Sequence, residues 1–267
     1  MRYLRLLTEY EGTRYVGWQI QPNGLSIQQL IEAAIFRVTR EQTKVIGAGR
    51  TDAGVHALGQ VAAFHTQSIL PEDVLLRALN ANLPSDIRIL GIEPAPEDFH
   101  PRHGADGKRY TYLIQNQPRP SVFLKRWTWS IPTSLDPETM QTGLSHLVGR
   151  HDFSSFRAAG CASKHPVRTI TKISVDRKPI ISMMGLTFAA RIIKITVEAD
   201  ALLRHMVRNI AGLAVEIGRG KIAPGEVNRI IEMRDRRYCG PTAPACGLFL
   251  ERVFYIPPCF KNYYGKT

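Results

Sequence analysis

One stretch of the chain combines a carboxylate with the small residues that can expose it. In residues 47–57, GAGRTDAGVHA, three glycines surround Asp52, and Arg50 precedes it by two positions. Glycine adopts backbone angles closed to other residues and lets another molecule approach the main chain closely. A carboxylate on such a bend can be kept ionised by the neighbouring guanidinium and can act as a nucleophile. Asp in a glycine-rich bend is also a common turn former, and on this fragment alone that reading stays open.

Residues 49–57, GRTDAGVHA, resemble the signature of the TruA family of tRNA pseudouridine synthases, with nine successive matching residues. Five further segments resemble the same family and follow the expected order along the chain: VGWQ at 16–19, KRYTY at 108–112, HDFSSFR at 151–157, LRHMVRNI at 203–210 and APACGLFL at 243–250. The resemblance therefore covers the whole length of the sequence. It implies that the protein isomerises uridine to pseudouridine at positions 38 to 40 of the tRNA anticodon stem-loop.

The resemblance also implies a role for five residues. Asp52 is the catalytic residue, and Arg50 and Arg208 keep it ionised and hold the nucleotide. Tyr110 stacks on the uracil, and Leu248 packs on the target base, although Leu248 could equally be an ordinary core residue of its strand. A tyrosine face suits base stacking, but at strand spacing Tyr110 and Tyr112 are more often core residues. Tyr112 keeps that core interpretation.

The implied chemistry is covalent. The target uridine must leave its stack before a side chain can reach it. Asp52 then attacks either the anomeric carbon of the ribose or C6 of uracil, and the sequence leaves both attacks open. Since bond making and bond breaking balance within one nucleotide, we expect neither a metal nor an organic cofactor. The base that removes the C5 proton is not identified by the sequence.

Hydrophobic periodicity predicts two halves, each in the order β-α-β-β-α-β. In the first half we expect a strand at 2–10, a helix at 26–40 begun by a Ser26/Gln29 capping box, strands near 44–48 and 59–66, a helix near 72–82 and a strand at 87–92. In the second half we expect strands at 109–116 and around 127–129, a helix at 136–149, strands near 167–177 and 187–199, helices at 201–218 and 224–235, and a strand at 248–255.

This order predicts an α+β fold of two split-βαβ halves, similar to ferredoxin-like or RRM folds, whose largely antiparallel sheets meet at a central basic cleft. The predicted domains are residues 1–104, with the Asp52 loop, and residues 105–267, with the tyrosine strand and the arginine helix. Residues 99–108 contain Pro, Gly and His without periodicity and are the predicted linker.

The predicted helix 201–218 has two distinct faces. Apolar residues at about 100° per residue fall on one face, which we assign to the core. The other face carries cationic and polar residues: Arg204, His205, Arg208, Asn209 and Arg219. A solvated face is the commoner fate of such a stripe, and the resemblance of the MVRN run at 206–209 is what favours function.

Composition indicates an anionic partner. The 267 residues include 35 Lys and Arg against 23 Asp and Glu, a net charge of +12. Such a balance attracts polyanions, and nucleic acid is the leading candidate. We expect no membrane partner, because no basic amphipathic helix with bulky aromatics is evident and no apolar run approaches the length of a membrane span. The start of the sequence does not read as a signal peptide, so a cytoplasmic location is expected.

The sequence has four cysteines, Cys161, Cys239, Cys246 and Cys259. No two of them form a C-x-x-C motif, and their spacing predicts neither a disulfide framework nor a metal site. The family resemblance further implies a homodimer that grips one tRNA with both subunits.

Two other classes of function are consistent with parts of the sequence. A non-catalytic RNA-binding protein built from two RRM-like units would suit the charge and the fold, but it would not need Asp52. A phosphate-ester hydrolase would suit the charge, but the chain lacks the clustered carboxylates of a two-metal site. The chain also contains no P-loop and no G-x-G-x-x-G motif.

Overall fold

The computed structural model of the chain describes residues 1–161, 163–183 and 186–264 and has a mixed α+β structure with mostly antiparallel strands. The elements follow in this order: β1 (Arg2–Tyr10), α1 (Ile27–Thr39), β2 (Ile46–Gly47), β3 (His56–Thr66), α2 (Glu72–Ala81), β4 (Ile87–Pro94), β5 (Gly107–Asn116), β6 (Trp129–Ile131), α3 (Pro137–Ser145), β7 (Gly149–Asp152), β8 (Val167–Met183), β9 (Leu186–Ala199), α4 (Met206–Gly218), α5 (Glu226–Met233), β10 (Leu248–Phe254) and α6 (Lys261–Tyr264).

The chain forms two compact units. The first is made of Met1–Lys108 with Phe249–Thr267, and the second is Arg109–Leu248. These units differ from the predicted domains, 1–104 and 105–267, because the strand at the end of the chain groups with the first hundred residues. The division into domains stays a prediction.

In the first unit the strand order is β4-β1-β3-β10, and β2 pairs with β3. β1 is antiparallel to both β3 and β4, and β2 is antiparallel to β3. β10 is parallel to β3, with Phe249 opposite His56 and Leu250 opposite Ala57. Parallel neighbours cannot be joined by a tight hairpin, so a long crossover between them is expected.

Helix α1 begins and packs as its sequence predicts, and α2 begins at Glu72, as predicted. Ser26 is the N-cap of α1, and its side chain accepts a hydrogen bond from the backbone N–H of Gln29 at 3.2 Å. The buried face of α1 includes Ile27, Ile31 and Ile35. These residues recur at helical spacing, and burying each of them contributes about 1.5–3 kcal/mol before the entropy cost of folding.

In the second unit the strand order is β5-β9-β8-β7, and β6 is parallel to β5. Asp136 is the N-cap of α3, as the Asp-Pro pair predicts, and accepts from the backbone N–H of Glu138 at 2.9 Å. α4 carries the main buried helical face of this unit, with Ile210, Leu213 and Ile217 almost fully shielded from solvent.

Two predicted helix boundaries in the second unit are wrong, and one of its strands was not predicted. α4 begins at Met206 instead of 201, because His205 has a φ of 61° and so leaves the helical region. Periodicity reads side chains and cannot detect such a backbone change. α3 ends at Ser145 instead of 149, and the chain then forms β7, a four-residue strand without apolar alternation that no pattern predicts.

Candidate active site

The Asp52 bend lies between β2 and β3 and is fixed by the connection that follows β1. The backbone N–H of Trp18 donates to the Thr51 carbonyl at 3.1 Å, and Gly17 forms a β-bridge with Asp52. Within the bend, the Val55 N–H donates to the Asp52 carbonyl at 3.1 Å. The main chain on both sides of Asp52 is therefore hydrogen-bonded.

Gly17 is the residue that lets these two segments meet. Its φ is 109°, and a Cβ placed there would lie 2.4 Å from the Thr51 carbonyl oxygen. That distance is much shorter than any real contact of a Cβ with an oxygen. The sequence predicts that another molecule can approach the main chain of the bend closely. At Thr51 the group that approaches is Gly17 of the same chain.

Two buried polar side chains hold the bend from the sheet. The hydroxyls of Tyr10, at the end of β1, and Thr51 are 2.8 Å apart. Gln60, on β3, donates from Nε2 to the Gly49 carbonyl at 2.7 Å. Burial raises the pKa of the Tyr10 phenol further above neutral pH, so the hydroxyl is protonated when it takes part in this hydrogen bond. Sequence reasoning missed both anchors.

His56 closes the bend at the start of β3 and is almost fully buried. Its Nδ1 accepts a hydrogen bond from the backbone N–H of Gly12 at 3.1 Å. Its ring stacks on Phe249 of β10, with centroids 4.7 Å apart and planes at 23°. The final strand therefore supports the bend directly.

Asp52 is half-buried and Arg50 is exposed. Both belong to the first unit. A half-buried carboxylate on a fixed main chain can reach a bound molecule without the loop having to reorder, which is the geometry that nucleophilic chemistry requires.

The other three predicted site residues, Tyr110, Arg208 and Leu248, belong to the second unit. Tyr110 lies on β5 and is 7% exposed, and Leu248 is 5% exposed. Tyr112 is fully buried, and its hydroxyl donates to the Pro244 carbonyl at 2.7 Å. The core interpretation of Tyr112 is confirmed.

Arg208 lies in the first turn of α4 and is half-buried. Its Nε donates to the Ala243 carbonyl at 2.7 Å, and its own carbonyl accepts from the Ala243 N–H at 3.1 Å. The side chain and the main chain of one residue thus bind the same partner. Arg208 is fixed to the segment that leads into Leu248, which gives its guanidinium a defined orientation.

Asn209 is the centre of a buried hydrogen-bond network rather than part of a cationic face. It is 0% exposed, and its Nδ2 donates to the Phe156 carbonyl at 2.7 Å. Its Oδ1 accepts from Arg236 at 2.9 Å and from Thr242 at 2.7 Å. The network connects α4 to the segments on both sides of it, and in particular to Thr242, the neighbour of Ala243.

The predicted arginine cluster on α4 is wrong in part. Arg204 precedes the helix and donates to the Ala159 carbonyl at 3.3 Å. Arg219 is the C-cap and pairs with Glu216 at 2.8 Å. Of the three arginines, only Arg208 lies within the helix.

The side chains also show whether the described residues form a metal site or a membrane-spanning helix. Within the described residues, no three His, Cys, Asp or Glu side chains come together in a way that would hold a metal ion. The helices of that part of the chain are all too short or too polar to cross a membrane.

Comparison with known proteins adds independent information. The chain matches the family model for tRNA pseudouridine synthase over residues 6–103 and 144–256. It is 46% identical over 255 residues to tRNA pseudouridine synthase A of Acetivibrio thermocellus, which covers 96% of this chain and 100% of the relative. It is 45% identical over 257 residues to the protein of that name from Geotalea uraniireducens, with 96% and 100% covered. It is 44% identical over 255 residues to that from Myxococcus xanthus, with 96% and 92% covered.

Proposed function

The chain belongs to the tRNA pseudouridine synthase family, whose members are isomerases acting on uridine in tRNA, and from this premise we propose that it modifies positions 38 to 40 of the anticodon stem-loop with Asp52 as the nucleophile. The observation that carries the proposal is the fixation of the Asp52 bend. Its main chain is bonded to residues 17 and 18, and Tyr10 and Gln60 hold it from the sheet. Asp52 itself remains half-buried. A turn former needs no such support, whereas a nucleophile gains rate from it.

The proposed reaction balances within one nucleotide. The Asp52 carboxylate adds to C1′ of the ribose or to C6 of uracil, and the C1′–N1 bond breaks. The detached base turns, a C1′–C5 bond forms and the bond to Asp52 is released. C5 gives up its proton to a base and N1 gains one, so the product is an isomer of the substrate and no electrons are exchanged with a second molecule.

In this proposal the predicted site residues of the second unit act on the nucleotide that Asp52 attacks. Tyr110 stacks on the extruded uracil, Leu248 packs on the target base, and Arg208 and Arg50 neutralise the phosphate and the carboxylate. The double hydrogen bond between Arg208 and Ala243 supports such a role for Arg208, because a pre-oriented guanidinium loses less entropy on binding. The proposal that Arg208 acts together with Asp52 rests on the family resemblance.

Further features of the proposal concern the fold and the assembly. The order β1-α1-β2-β3-α2-β4 with antiparallel strands supports a split-βαβ arrangement of the first unit. We also propose a basic cleft that binds the RNA, a homodimer that grips one tRNA, and a cytoplasmic location. The net charge of +12 supports RNA binding, with an affinity that falls steeply as salt is added.

The test is pseudouridine mapping on tRNA transcripts that carry uridine inside and outside positions 38 to 40. We expect Asp52→Asn to abolish product formation while tRNA still binds. Asp73→Asn, at an exposed surface pair with Arg77, is the matched control and should retain full activity. Product formation by Asp52→Asn would remove Asp52 as the nucleophile. Product at other positions in the wild-type reaction would overturn the proposed target and leave the nucleophile unaffected.

A further inference from the structure

The connection between β5 and β6 exposes two neighbouring apolar side chains. Val122 is 78% exposed and Phe123 is 64% exposed. We refer to residues 117–126 as the Phe123 loop. Single exposed apolar residues are ordinary on a protein surface, so the exposure alone does not indicate a site.

The backbone that carries these two side chains is held in place by contacts with the rest of the second unit. Leu124, the next residue, is 4% exposed and packs with Ala190 and Ile192. The Ser121 hydroxyl accepts from the backbone N–H of Phe123 at 3.3 Å, which begins a short 3-10 turn. The buried Leu124 therefore anchors the loop directly beside the exposed Phe123.

Three further hydrogen bonds fix the ends of the loop. Thr128 donates from its hydroxyl to the Leu124 carbonyl at 2.8 Å. At the other end, the Gln117 side chain accepts from the Arg191 N–H at 3.0 Å and donates to the Arg119 carbonyl at 2.8 Å. A surface whose backbone is already ordered pays little entropy when a partner binds.

The charged residues of the Phe123 loop are all cationic. Arg119, Lys125 and Arg126 are exposed, and so is Arg191, which is bonded to the loop. The sequence contains no Asp or Glu from Gly107 to Leu135. Cations around an exposed ring match a partner that offers phosphates next to unpaired flat bases, which describes a single-stranded or looped part of an RNA.

We propose that the Phe123 loop is an RNA-binding surface in which Phe123 stacks on an unpaired base of the bound tRNA and Arg119, Lys125 and Arg126 contact phosphates. The base is one other than the uridine that reacts. This inference rests on the proposed function only in taking tRNA as the bound RNA. It does not require Asp52 to be the nucleophile.

The test measures the affinity for an unmodified tRNA transcript, together with single-turnover rates at saturating enzyme. We expect Phe123→Ala to weaken binding about tenfold, as loss of one stacked base does. Phe123→Trp and Phe123→Tyr should bind as tightly as wild type, and Phe123→Leu should bind as weakly as Phe123→Ala. The rate at saturation should not change. Ile69→Ala, which removes a 91% exposed apolar side chain of the first unit, is the matched control.

The salt dependence of the tRNA affinity distinguishes the contribution of the Phe123 ring from that of the cations. The slope of log affinity against log salt should stay the same in Phe123→Ala. In Lys125→Ala or Arg126→Ala it should become shallower by about 0.7 for each phosphate that the variant no longer neutralises, the value for single strands. Full affinity of Phe123→Leu would show that the ring binds only as an apolar group, without stacking, and would overturn the proposal. Equal affinities of Phe123→Ala and Ile69→Ala would also overturn it.

The Phe123 loop could instead bind a lipid surface or a second copy of the chain, and further measurements on Phe123→Ala detect either case. If Phe123→Ala leaves tRNA affinity intact and instead reduces binding to phosphatidylserine vesicles, the surface contacts lipid. If it instead shifts self-association in sedimentation, the occupant is a second copy of the chain. Either result rejects an RNA contact. Failure of the wild-type protein to bind tRNA at all would reject the proposed function itself, which distinguishes the two failures.

Discussion

The phenol oxygen of Tyr10 and the hydroxyl of Thr51 lie 2.8 Å apart in the buried interior of the first unit. The residue next to Asp52 is thereby bonded to β1, 41 positions earlier in the chain. Since both groups are shielded from water, neither can exchange its partner for solvent without the loop moving.

Tyr10→Phe removes this hydrogen bond and keeps the ring. We expect unfolding to become easier by about 1 kcal/mol, because the Thr51 hydroxyl loses its buried partner. The kcat should fall by about tenfold or more with little change in KM, because small displacements of a reacting group are costly. Steady-state kinetics and urea unfolding check both values. Tyr238→Phe, at an exposed tyrosine, should change neither, and an unchanged kcat in Tyr10→Phe would show that the bond is only structural.

Gly17→Ala tests the contact between the bend and residues 17 and 18. The methyl group would meet the Thr51 carbonyl at 2.4 Å, and the positive φ adds roughly 1 kcal/mol of backbone strain. Gly220→Ala is the matched control, because Gly220 also has a positive φ, 73°, but nothing lies within 4 Å of its added Cβ. We expect Gly17→Ala to lose at least about 2 kcal/mol more stability than the control, and most of its activity. Equal losses in urea unfolding would contradict the steric account.

Asn209→Leu replaces a buried amide by an apolar side chain of similar size. It leaves the Phe156 carbonyl without this donor, leaves the Thr242 hydroxyl without its acceptor and removes one acceptor of Arg236. We expect the free energy of unfolding to fall by about 3 kcal/mol, as for the loss of a buried hydrogen-bond network. Asn228→Leu on the exposed side of α5 should stay within about 0.5 kcal/mol of wild type. Thermal unfolding would detect a change of this size.

Asp86 makes the stability of the first unit depend on pH. Burial raises the pKa of its carboxyl, but hydrogen bonds from Tyr15 and Arg14 lower it, and the net pKa is below its ordinary value. The folded state therefore favours the carboxylate, so this stability is present above the ordinary pKa, about 4, and is lost as pH falls through the lower folded value. Asp86→Asn should cost about 1 kcal/mol at pH 7, since the pair with Arg14 is solvent-screened, and the difference should vanish in acid.

Urea unfolding of Asp86→Asn and wild type between pH 7 and pH 3 measures this difference. Asp98→Asn, at an exposed position, serves as the control and should show no such convergence. A gap between Asp86→Asn and wild type that stays constant down to pH 3 would mean that the carboxylate does not contribute through its charge.

Local features of the fold were predictable, because local chemistry determines them. Ser26 and Asp136 cap their helices as their sequences indicate, since each bonds to a backbone N–H two or three residues away. The burial of Tyr112 follows from its spacing on β5. The start of α4 was not predictable, because the left-handed conformation of His205 leaves no mark on the hydrophobic pattern.

The supports of the candidate site were harder to predict than its motif. The nine-residue run around Asp52 identifies the bend, but Tyr10 and Gln60 reach it from positions 41 and 11 residues away from their partners. No periodicity encodes a contact of that range. Asn209 was misassigned to an exposed face for the same reason, because its partners come from separate segments that only the folded chain brings together. The roles of Asp52, Arg50, Tyr110, Arg208 and Leu248 stay predictions until they are tested by substitution.

The parallel pairing of β10 with β3 sets an order of events during protein synthesis. The ribosome makes Met1–Lys108 first and must translate the whole second unit before Phe249 emerges. Until then the nascent chain has the Asp52 bend but lacks the ring on which His56 stacks. A message cut anywhere upstream of Phe249 would therefore yield a product whose amino-terminal portion cannot complete its own sheet.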